Sequence, residues 1–106
     1  MEKLPRKEQI LNMLVSEPND VFLNYALAME FISNNEFQEA DVQLKKVLSI
    51  KPDYLPCFYQ LGQLNEKLGN NEVALHYYKQ GVDLAKSQNN NKALGELNEA
   101  IWMLED

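Results

Sequence analysis

Residues Asp20 to Lys86 read as one unit written twice, and this self-similarity constrains the fold more than any other feature of the chain. Shifted by 34 residues, the sequence falls on itself without a gap. Leu27-Ala28 lands on Leu61-Gly62, Ala40 on Ala74, Lys45 on Lys79, Asn35 on Gly69 and Pro18 on Pro52. Leu48 and Ile50 land on Val82 and Leu84. A fixed period of this size marks a solenoid, in which each unit buries its apolar face only against its neighbours.

Taken in order, the chain predicts six helices. Pro5 suits a first helical position, where its missing N–H costs nothing. Ile10, Leu11, Leu14 and Val15 then follow at helical spacing until Pro18 stops them. Ile10 and Leu14 stand 34 residues before Leu44 and Leu48, so this helix resembles the second half of a repeat and is expected to be an N-terminal cap. Asn19-Asp20 offers the N-cap of a helix from about Asp20 to Ser33. That helix is apolar almost all round, which predicts cover on several sides. Asn34-Asn35 supplies a turn, because Asn tolerates the left-handed region.

The partner helix spans Glu36 to Ile50, with Phe37, Ala40, Leu44, Val47 and Leu48 facing inward. The second unit is expected from Asp53 to Leu68, a turn at Gly69-Asn70-Asn71, and a helix whose inward face is Ala74, Leu75, Tyr78, Val82 and Ala85. Asn89-Asn90-Asn91 reads as another turn with an N-cap. The last helix echoes the second unit, Leu94-Gly95-Glu96-Leu97 repeating Leu61-Gly62-Gln63-Leu64, and carries one stripe of Leu94, Leu97, Ile101 and Leu104.

The recurring residues resemble those of the tetratricopeptide repeat family, W-x2-L-G-x2-Y…A-x3-F…P. The second unit matches with Phe58, Leu61, Gly62, Ala74 and Tyr78, the first with Leu27, Ala28, Phe31, Ala40, Leu44 and Pro52. Ala28, Ala40, Gly62 and Ala74 are expected where facing helices approach closely, Gly62 and Ala74 each buried against the other's helix, and likewise Ala28 and Ala40. Asn24, Asn65 and Lys86 depart from the pattern, and Lys86 in place of proline predicts a helix that runs on. The resemblance implies an all-α, tetratricopeptide-type right-handed α-solenoid of antiparallel helices in a single domain. Its segments are an N-terminal capping helix (1–18), two repeats (19–52 and 53–88) and a C-terminal capping helix (89–106).

In such arrays the first helix of each unit lines the concave face. The resemblance therefore implies a groove of Phe22, Tyr25, Ala26, Met29 and Ser33 from the first unit. The second adds Tyr59, Gln60, Gln63 and Lys67, and the last helix Lys92, Glu96 and Glu99. Phe22 and Met29 serve there either as groove surface or as core covered by neighbours. Family members that clamp the carboxylate of chaperone tails share groove Lys, Arg and Asn residues. The matching places here hold Tyr25, Met29, Pro56, Gln60 and Gln63, so an acidic chaperone tail is not the expected partner. An aromatic and methionine strip favours an apolar helix or extended peptide. Trp102 is expected to pack back on the preceding helix, its alternative being an interface with Met103.

The remaining chemistry is sparse. One histidine, His76, on an outer face and one cysteine, Cys57, as a small packing residue form no metal cluster or thiol pair, and no glycine-rich phosphate loop is present. No enzyme activity and no cofactor are expected. The formal charge of −6 argues against nucleic acid or an anionic membrane. No apolar run nears the roughly 20 residues that cross a bilayer, and the N-terminus lacks a signal-peptide core. The expectation is a cytoplasmic adaptor that holds a peptide or helix of another protein. Its alternative is a scaffold unit that self-associates through its terminal helices, so a homo-oligomer is possible.

Overall fold

A computed structural model describes residues 4–105. It contains six α-helices and no strand among the described residues: α1 (Arg6–Ser16), α2 (Val21–Ser33), α3 (Phe37–Ile50), α4 (Pro56–Lys67), α5 (Asn71–Ser87) and α6 (Asn91–Glu105). The chain divides into two compact units, Met1–Pro52 and Asp53–Asp106.

In the first unit α2 packs against α3, and α1 against α2. Asp20 caps α2, its carboxylate accepting the Leu23 N–H at 2.9 Å. Ala40, Leu44 and Val47 of α3 are buried, with Leu27 and Ala28 of α2. From α1 the structure buries Ile10 and half-buries Leu14, while Leu11 and Val15 stay exposed. The residues that pack are thus the two that share the repeat register with Leu44 and Leu48. α2 buries Asn24, Leu27 and Ala28, while Phe22 near its start is 74% exposed. Arg6 reaches Glu30 at 3.4 Å and Lys7 reaches Glu36 at 3.2 Å, with the Lys7 ammonium 4.8 Å from the centre of the Phe31 ring.

Asn24, which departs from the repeat pattern, is fully buried. Its side-chain NH2 donates to the carbonyls of Pro18 (3.0 Å) and Asp20 (2.7 Å), and its oxygen accepts from Gln43 Nε2 at 2.7 Å. A buried amide left unmatched would cost several kcal/mol, about 2–7 depending on reference. Here it is matched, and it fastens α2 both to the preceding turn and to α3.

In the second unit α5 packs against both α4 and α6. The expected start of α4 at Asp53 is corrected to Pro56. Before it, Tyr54 and Leu55 form a tight turn whose carbonyls accept the N–H groups of Cys57 and Phe58 at 3.1 Å each, and proline takes the first helical position. One core cluster is Leu55, Ala74, Tyr78, Ala85, Leu97 and Ala100, flanked by Tyr59, Val82, Leu94, Ile101 and Leu104, and Cys57, Phe58, Leu61 and Leu64 of α4 are buried too. Gly62 and Ala74 are both buried, and Gly62 meets the helix of Ala74 as expected, facing the Tyr78 ring one turn along it. As Lys86 suggested, α5 runs on to Ser87, and Gln88 beyond it donates to the Asp53 carbonyl at 3.0 Å.

Three helices end alike. After α2, Glu36 N–H bonds the Phe31 carbonyl and Asn35 N–H that of Ile32; Asn70 and Gly69 repeat this after α4, Asn90 and Asn89 after α5. Each closure puts one residue in the left-handed region: Asn35 at φ 60°, Gly69 at 80° and Asn89 at 56°. This is the Schellman arrangement, which satisfies carbonyls that a helix end leaves over. Asn90 then caps α6, accepting the Ala93 N–H at 3.0 Å.

Candidate functional site

The expected groove residues divide between the units. On α2, Phe22 is exposed while Tyr25 and Met29 are half-buried; Ala26 is half-buried and Ser33 exposed. On α4, Tyr59, Gln60 and Gln63 are half-buried and Lys67 is exposed. Phe22 therefore is not core, and the choice left open for it falls to surface.

Phe22 borders a cleft of the first unit with Met13, Ser16, Glu17, Asp20 and Leu23. A second cleft of that unit is lined by Phe31, Gln38, Glu39, Val42 and Gln43. In the second unit a cleft of about 220 Å³ is lined by Tyr59, Gln63, Glu96, Glu99, Ala100 and Met103. It joins Tyr59 and Gln63, two of the four α4 residues expected in the groove, with Glu96 and Glu99 of α6, while Gln60 and Lys67 stand outside its lining. Ala100 and Met103 were missed, although they follow Glu96 by four and seven positions on one helical face.

The α4 wall of this cleft is held from behind. Tyr78, fully buried, sits with its ring centre 6.1 Å from that of Tyr59, tilted by 50°. Gln63 Nε2 donates to the Tyr78 hydroxyl at 2.8 Å, and that hydroxyl in turn donates to the Glu66 carboxylate. Burial, followed by the hydrogen bond to Glu66, pushes the phenol well above its ordinary range, so it remains a donor at neutral pH. Tyr59 and Gln63 thus rest on a fixed support, which lowers the entropy lost when a ligand orders them.

The other singled-out residues carry less. His76 is exposed, its ring centre 6.4 Å from that of Tyr77. Cys57 is fully buried, and burial pushes its thiol up to about 12. A thiol so held is a packing group. Trp102, expected against the preceding helix, is instead 69% exposed, next to Met103 at 65%. It falls off the stripe of Leu97 and Ile101 and faces outward. Among the described residues, no three His, Cys, Asp or Glu side chains converge on a metal-sized site, and no helix is long and apolar enough to cross a membrane.

A family model for the tetratricopeptide repeat matches residues 23–54 and 55–88. Among solved structures, the chain is similar to a tetratricopeptide repeat domain protein from Salinibacter ruber determined by solution NMR. They share 33% identity over 83% of this chain and 89% of that one, with a TM-score of 0.78. A crystal structure of a tetratricopeptide repeat domain protein from the same organism aligns at 32% identity over 81% of this chain and 96% of the other, with a TM-score of 0.76. Protein BPP2914 from Bordetella parapertussis aligns at 20% identity over 97% of this chain and 90% of that one (TM-score 0.88), a likeness of fold. No curated protein matches the chain.

Proposed function

Because this chain belongs to the tetratricopeptide repeat family, we propose that it is a small adaptor whose inner-helix residues hold a peptide or helix of a partner protein. Repeats of this family are in general protein–protein interaction modules, and non-enzymatic ones. The proposed contact residues are Phe22, Tyr25 and Met29 on α2, and Tyr59, Gln60, Gln63 and Lys67 on α4. Segments 1–18 and 89–106 are taken as caps of the repeats 19–52 and 53–88.

The observation that carries this reading is Tyr59, half-buried at the cleft and braced by Tyr78. Aromatic anchors of this kind supply most of the energy in protein interfaces, and losing one costs about 2 kcal/mol or more. The test identifies a partner by affinity capture from the source cells with mass spectrometry. Its affinity for Tyr59→Ala is then compared with that for the exposed control His76→Ala, after both variants are shown to be folded. Loss of binding in the first alone supports the adaptor; unchanged binding in both overturns the use of this surface.

The exposure of Trp102 and Met103 favours one second reading, a scaffold unit that self-associates through α6. Size-exclusion chromatography with light scattering separates the two, since a concentration-independent monomer rejects self-association.

A further inference from the structure

The second unit's cleft has an apolar floor and a charged lining of one sign. Ala100 is buried at its base, Tyr59 and Met103 offer aromatic and thioether surface, and Glu96 and Glu99 stand exposed beside them. Neither Lys nor Arg contributes to the lining, in a chain with 10 basic residues. The same holds for the two first-unit clefts described above, whose charged residues are Glu17 and Asp20 in one and Glu39 in the other.

The lysines of the second unit stand outside this lining. Lys79 is turned to Glu105, 3.8 Å away, and Glu66 is occupied by the Tyr78 hydroxyl. Lys92 precedes Glu96 by one turn on α6, the weaker orientation for a helical ion pair. Lys67 stands one turn beyond Gln63 on α4, outside the lining. An occupant with its own negative charge would meet Glu96 and Glu99 at close range, inside the field of a chain of formal charge −6.

We propose that this cleft takes a cationic amphipathic segment of a partner protein. One large apolar side chain seats against Tyr59, Ala100 and Met103, and Lys or Arg on flanking positions meets Glu96 and Glu99. The proposal rests on the reading of the chain as a protein-binding module and adds the charge and pattern of what is bound. The apolar anchor supplies affinity and the flanking charges supply selectivity and speed of encounter. Met103 suits such a role, since a flexible, polarizable thioether adapts to anchors of different shape.

The test pans a phage-displayed random peptide library against the full chain and titrates the enriched sequences as synthetic peptides by calorimetry. Enriched peptides are expected to carry Lys or Arg around one large apolar residue and to weaken as salt is raised. Glu96→Gln with Glu99→Gln should weaken them about three- to tenfold, the range for two exposed ion pairs, and Tyr59→Ala about thirtyfold or more. Glu72→Gln, away from the cleft, should bind as the native chain does. Peptides that lose affinity with Tyr59→Ala but ignore the glutamine pair would overturn the cationic partner and leave the adaptor standing. Peptides indifferent to both changes would overturn the two together, and acidic enriched sequences, or none, would overturn the proposal.

Discussion

Gly62 and Tyr78 fit as a complementary pair: a Cβ added at Gly62 would lie 2.5 Å from Cδ1 and 2.6 Å from Cζ of the Tyr78 ring. In the first repeat the equivalent positions hold Ala28 and Leu44, both fully buried. One seam is thus built twice, once from a small aliphatic pair and once from no side chain against a large ring. Gly62→Ala gains up to about 1 kcal/mol of helix propensity, yet the ring it meets is fully buried and tied to Gln63 and Glu66. Overpacking of about 1–3 kcal/mol should win. In urea melts followed by circular dichroism, Gly62→Ala should lower the midpoint, and adding Tyr78→Leu should recover part of the loss. A Gly62→Ala chain as stable as the parent would place the ring elsewhere.

The Asn24–Gln43 bond should be visible as coupling. Asn24→Ala removes the partner of Gln43 and leaves the Pro18 carbonyl short of a donor, at a cost of about 1–3 kcal/mol. Combined with Gln43→Ala, the losses should fall short of additive by at least about 0.5 kcal/mol. Strict additivity in the four melts would mean the amides act independently.

On α6, two large side chains should behave in opposite ways. Leu97 is buried, its methyls 3.0 and 3.1 Å from where a Cβ on Gly81 would sit, so Leu97→Ala should cost about 2–5 kcal/mol. Trp102→Ala should stay within about 0.5 kcal/mol of the parent. A large loss at Trp102 would show that its outward face is covered.

Alkaline pH should weaken the fold partly through Cys57. Its thiol goes from an ordinary value of 9.0 to about 12 in the folded chain, so folding favours the protonated form. That stability is fully present below about pH 9 and drains away as pH rises toward 12. Between these limits the melting temperature of the native chain should fall more steeply than that of Cys57→Ala. Parallel slopes would mean that the thiolate is tolerated where it sits.

The six helices, and the turns that close α2, α4 and α5, were legible because each is signalled locally. Asn35, Gly69 and Asn89 stand where the backbone turns left-handed, which few residues allow. The repeat register also separated the packed Ile10 and Leu14 from Leu11 and Val15, which the helical spacing alone did not. What stayed hidden depends on partners distant in sequence. Asn24 looked like a lapse in the pattern because its mate, Gln43, lies across a helix pair. The start of α4 was placed three residues early, at Asp53, whereas Pro56 and the turn before it set the boundary. Of the residues that line the cleft, Tyr59 and Gln63 were among those the family resemblance implied, but Met103 was not, since its place depends on how α6 is turned about its axis.

The outward orientation of Trp102 also sets what light can report about this protein. It is the chain's one tryptophan, and 69% of it is already open to solvent in the folded state. An indole in water emits at nearly the same wavelength whether the chain around it is ordered or not. Its emission should therefore stay nearly silent through unfolding, while a molecule that covered the outer face of α6 would shift it toward the blue. The same side chain that adds little to the fold makes that face a built-in optical sensor of its own occupancy.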